Sequence, residues 1–147
     1  MRSGRPPTFR ALRVALLMAA FLAPPAHAAA CGDTLPQPGR AVIAADGLHL
    51  AHAPTLWPLP PDRPFALEIA LCDAATGAPA AVALLQVDAD MPAHRHGLNY
   101  RVALQQTGPG RYRAEGLLLH MPGRWRLLFD LGPAQAPRRL VRVVDVD

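Results

Sequence analysis

The 147-residue chain carries 15 arginines, no lysine and 11 Asp plus Glu, giving a formal net charge of +4 and room for one domain. Four of the arginines, Arg2, Arg5, Arg10 and Arg13, stand at the very start, so 11 cations face 11 anions beyond residue 30 and the main body is formally neutral. Neutrality removes the electrostatic motive for a nucleic acid or an anionic membrane as partner.

The opening segment reads as a leader. Its arginines precede a short apolar stretch over 14–22, followed by Ala26-His27-Ala28 or Ala28-Ala29-Ala30 as a small-x-small cleavage site, so residues 1–30 are predicted to be a secretory signal. No later stretch approaches the roughly 20 apolar residues of a spanning helix, so no integral span is expected after cleavage. The protein is expected in the periplasm or secreted. There, Cys31 and Cys72 read first as a disulfide tying the new N-terminus to an internal strand. Lipidation of Cys31 ranks second, because Ala28 stands where a lipoprotein signal usually has leucine.

Thirteen of the seventeen prolines and ten of the eleven glycines lie beyond residue 30 and cut the rest into short runs, none of which keeps a helical period. What recurs is a stretch of alternating residues bounded by Pro, Gly, Asp or Asn, the pattern of strands. In chain order these are 41–45 with 48–53, then 65–72, 82–87, 100–105, 112–120, 125–131 and 140–146. Over 65–72 the large residues Phe65, Leu67, Ile69 and Leu71 share one face; over 125–131, Arg126 and Asp130 face outward. Thr107-Gly108-Pro109-Gly110 joins two strands, and Pro122-Gly123 predicts a tight hairpin. About seven strands at roughly 10-residue spacing predict an all-β fold, an antiparallel immunoglobulin-like β-sandwich over 31–147.

The chemistry concentrates in two short segments. Asp88-Ala-Asp-Met-Pro-Ala-His-Arg-His-Gly97 contains Met91, His94 and His96, and His120-Met121-Pro122-Gly123 echoes it downstream. Strands that run alternately up and down would bring both to one end of the sandwich, where loops present binding groups. In an extended segment His94 and His96 point to the same side and could reach one ion. Imidazole with thioether suits copper better than the oxygen-seeking cations. Each residue also has an ordinary reading: solvated loop histidines, methionines that plug the core, and His120 as a half-buried, hydrogen-bonded strand end. Asp88 and Asp90 could orient ligand imidazoles or simply solubilise an edge. His49 and His52 fall on opposite faces of a strand and cannot both serve one site. Gly-x-Ser-x-Gly, phosphate-binding glycine loops and His-Glu-x-x-His are all absent, so no catalysis is expected.

The segments at 88–97 and 116–125, with Gly110-Arg111-Tyr112 between them, resemble the YtkA-like family of bacterial exported domains, related to the periplasmic portions of FixH-type proteins. The resemblance rests on Met91, Pro92, His94, His96, Gly97, Met121, Pro122, Gly123 and Trp125 and covers roughly 64–146. It implies an immunoglobulin-like sandwich and a link to copper or cytochrome oxidase assembly; the membrane anchor of FixH-type relatives is not expected here. Together these readings predict a copper-binding accessory or carrier protein, with metal held by Met91, His94, His96, His120 and Met121 and exchanged with a donor or acceptor protein. The rivals are an interaction domain that docks a partner through its Met-Pro loops without any ion, and a small-ligand binder using the same pole.

Overall fold

The computed structural model describes Met1 and residues 30–147; apart from its two end residues, the expected leader lies outside the described residues. Two antiparallel sheets account for nearly all regular structure. The first orders its strands β1 (Ala41–Ala45), β2 (Leu48–Pro54), β3 (Phe65–Asp73), β7 (Arg111–Leu117) and β6 (Ala103–Gly108), and the second orders β5 (His96–Gly97), β4 (Leu84–Met91), β8 (Gly123–Leu131) and β9 (Arg138–Val146). The expected β-sandwich is therefore present, with nine strands among the described residues, one of them only two residues long.

Period-2 alternation decides what lies between the sheets. Phe65, Leu67, Ile69 and Leu71 of β3 face Trp125, Leu127, Phe129 and Leu131 of β8 in one continuous core. The outward residues of the second sheet pair across strands instead. Arg126 forks onto both oxygens of Asp90 at 2.7 and 2.5 Å, and Arg139 onto Asp130 at 2.7 and 2.8 Å. Such two-pronged contacts fix register as well as adding energy.

The outer face of the first sheet is partly closed by the N-terminal segment. Leu35 packs on Ala51, Ala53, Ala70 and Cys72, and Cys31 is disulfide-bonded to Cys72. The bond engages the sulfur that lipidation of Cys31 would need.

His52 turns inward from β2. It is 2% exposed, stacks on Phe129 with ring centroids 5.5 Å apart, and makes no hydrogen bond within the protein at either ring nitrogen. Burial first, and the Arg142 charge second, push its pKa down from 6.5 to about 4. The folded state therefore prefers the neutral ring, and the unfolded chain binds more protons between those two values. Stability contributed by His52 is fully present above pH 6.5 and is lost as the pH falls through about 4. A loss of up to about 3 kcal/mol across that window is expected. Urea denaturation across this range should give wild type a steeper pH dependence than His52→Leu; parallel curves would contradict the assignment.

Candidate functional site

The first half of the site grows out of β4. This strand continues through Asp88 to Met91, four residues past its predicted end, so Asp90 faces outward and Met91 inward. Pro92–His94 then forms one 3₁₀ turn, with Pro92 at its start and Arg95 closing it in the left-handed region at φ 54. The chain returns as β5, setting His96 opposite Met91 and Gly97 opposite Asp90. His94 and His96 thus do not share one extended segment, as the i, i+2 argument requires. His94 sits exposed on the turn and His96 half-buried on the returning strand. Their rings nevertheless lie 5.8 Å apart.

The second half lies in the connection from β7 to β8. β7 ends at Leu117, short of His120, because the chain there leaves one sheet for the other. The predicted Pro122-Gly123 hairpin is a sheet-to-sheet crossing for the same reason. Alternation survives beyond the last ladder bond: Leu117 and Leu119 are buried, Leu118 is half-buried and His120 is exposed. The crossing returns beside β5, as the pole argument predicted, and the rings of His96 and His120 are 4.8 Å apart. The loop from β2 to β3 joins this end through the Asp62 N–H, which donates to the Leu119 carbonyl at 3.0 Å.

Trp125 is the wall behind both imidazoles, a role that sequence reasoning did not assign. Fully buried, it meets His96 edge-on at 5.8 Å and His120 at 5.3 Å. Its indole N–H donates to the Met121 carbonyl at 3.0 Å, which pins the crossing to β8. The sequence signal was present in its inward position on β8, four residues after Met121.

The methionines differ. Met91 is 2% exposed and belongs to the core beneath His96; Met121 is half-buried at the margin of the same core. Met91 has room because residue 123 is glycine: a Cβ there would lie 2.6 Å from the Met91 methyl, and the backbone at φ 126 is one that glycine tolerates.

Other expected participants are placed elsewhere. Asp90 is committed to Arg126, and the Asp88 carboxylate accepts from the Ala89 N–H at 2.8 Å, so neither orients an imidazole. His49 and His52 occupy opposite faces of β2, as alternation requires, and His52 lies against Phe129.

The ring spacings can be compared with those of imidazoles that share an ion. Metal–nitrogen bonds of about 2 Å put two imidazole centroids on one ion about 5–6 Å apart, close to the separations of 4.8 and 5.8 Å around His96. The Nε2 atom of His96 is sealed from solvent and has no hydrogen-bond partner in the protein. Burying such a group costs free energy unless something satisfies it. Among the described residues, however, no three His, Cys, Asp or Glu side chains are grouped to hold a metal. The available set is two adjoining imidazoles, a third at the rim, and thioethers.

No protein-family model, curated protein or solved structure matches this chain.

Two glycines separate steric crowding from backbone strain. Gly123→Ala must displace the Met91 methyl as well as strain the backbone, and should cost about 1–3 kcal/mol. Gly116→Ala, at φ 82 with open space around it, carries only the strain. Thermal unfolding should rank Gly123→Ala clearly below Gly116→Ala, and equal losses would deny that Met91 fills the space under residue 123.

Proposed function

We propose that this protein is an exported copper carrier or accessory factor that holds one ion at the His96–His120 pair. One observation carries the reading: His96, whose Nε2 is buried without a partner in the protein, has its ring 4.8 Å from that of His120 and edge-on to Trp125. Imidazole nitrogen suits copper in either oxidation state, and a thioether from Met91 or Met121 favours Cu(I). His94 sits at the rim as an additional ligand, exposed and 5.8 Å from His96. The likeness of the 88–97 and 116–125 motifs to YtkA-like domains supports the same reading, as do the leader pattern and the disulfide, which suit an oxidising compartment. In this role the protein binds and releases copper, exchanging it with a donor or acceptor protein, and carries out no turnover of its own.

A second reading has its own support. The absence of three grouped His, Cys, Asp or Glu side chains among the described residues favours an interaction domain that docks a partner through the exposed Pro92 and Pro122 loops without any ion.

Copper titration separates the two. Because loss of an outer-shell partner alone weakens metal binding by about 10–100-fold, His96→Ala and His120→Ala should each weaken copper by more than about 100-fold, and His94→Ala by less. Trp125 reports directly, on a Trp57→Phe background that removes the exposed indole: copper should quench its emission saturably at one equivalent. Equal affinity in wild type and His96→Ala would leave the interaction reading in its place.

A further inference from the structure

β1 and β9 end their respective sheets and approach each other along one side of the sandwich. Between them lies a small cavity of about 20 Å³, lined by His52, Trp57, Leu59, Leu127, Arg142 and Val144 among others. It has room for about one water-sized group. The two imidazoles of the copper proposal are far along the other sheet edge, since β5 and β9 are opposite ends of the second sheet.

Three features of this cavity point to a ligand. The first is His52, which lines it while 2% exposed, with neither ring nitrogen bonded to any protein group. A buried polar group of this kind costs free energy until something satisfies it. The ring is neutral at ordinary pH, so one of its nitrogens carries a proton to donate. The second feature is Arg142, an exposed cation at the same cavity that forms no ion pair among the described residues. A neutral donor inside and a cation at the mouth select an anion and repel a metal ion. The third is Trp57, which stays 50% exposed although it is held in place. Gly39, at φ 87, lets the indole pack directly on the backbone: a Cβ there would lie 2.5 Å from the Trp57 Cε3. A fixed, half-exposed indole offers a face for a flat apolar group.

We infer that this cavity is a binding site for the carboxylate of an aromatic organic acid. One carboxylate oxygen enters and accepts from the His52 ring N–H, and the other pairs with Arg142 at the mouth. The aromatic body stays outside the cavity and lies on the Trp57 indole. The enclosed donor is what separates this site from an ordinary surface contact, because an exposed arginine alone holds a carboxylate only weakly.

The test follows the His52 ring nitrogens and the Trp57 indole by NMR in the metal-free protein, with benzoate, acetate and benzamide as probes. Benzoate should shift both sets of signals saturably with one half-saturation point. Benzamide has the same shape without the charge and should bind at least about tenfold more weakly, the size of one charge-assisted hydrogen bond. Acetate has the head without the ring, so it too should be weaker than benzoate. Arg142→Gln, at an exposed position, should weaken benzoate at least about tenfold, while Arg101→Gln, exposed and remote from the cavity, should leave it unchanged. His52 signals that ignore benzoate would mean that the cavity takes solvent only, which overturns the site. Equal binding of benzoate and benzamide, or an unchanged affinity in Arg142→Gln, overturns recognition of the carboxylate. Acetate equal to benzoate overturns the part given to Trp57. Copper binding enters none of these outcomes, so the site stands or falls apart from the copper proposal.

Discussion

Burial of Trp125 is the constraint on which the functional pole depends. The indole is wholly enclosed near the start of β8, yet its N–H reaches out to the Met121 carbonyl, so core packing and the position of the crossing are set by one side chain. Removing such a residue from a core costs roughly 3–5 kcal/mol in typical cases. His96 arrives from β5 and His120 from the crossing, and each meets a different part of the same indole. The imidazoles adjoin because β5 and the crossing both pack around Trp125, and no direct bond between them is needed.

The surroundings of His52 and His96 differ in a way that matters chemically. Both ring nitrogens of His52, and the Nε2 of His96, are buried without a protein partner. Around His52 the neighbours are Phe129, the apolar interior and a nearby Arg142 charge, a setting that repels any cation, including a proton. His96 has a second imidazole 4.8 Å away, a third at 5.8 Å, a thioether opposite it across the ladder, and an open groove alongside. A shared lack of protein partners therefore leads to different expectations. His52 is held neutral, whereas the surroundings of His96 are those on which the copper proposal rests.

The fold class was legible because β3 and β8 set their large apolar residues at every second position, and Phe65, Leu67, Ile69 and Leu71 suffice to orient β3. Convergence of the two motifs at one end was legible as well, from strand direction alone. Local geometry was less so. His120 continues the alternation of Leu117 to Leu119, so nothing in composition marks where the ladder stops. Pro122-Gly123 announces a turn but cannot say that the chain changes sheets there. Pro92 starts a 3₁₀ turn that only the left-handed Arg95 completes, and arginine gives no hint of that conformation. The partner of Asp90 lies 36 residues away on β8, beyond any local rule. The inward turn of His52 was hidden because its neighbours Ala51 and Ala53 are equally compatible with a core, and in the fold they are covered by the N-terminal segment instead.

The central claim is that His96 and His120 hold the same ion. Silver(I) is a diamagnetic stand-in for copper(I), so imidazole nitrogen NMR can follow each histidine during its titration. The account predicts that the His96 and His120 ring signals shift together and saturate at one equivalent, with His49 and His52 unmoved. Shifts confined to the surface histidines, or different stoichiometries for His96 and His120, would contradict it.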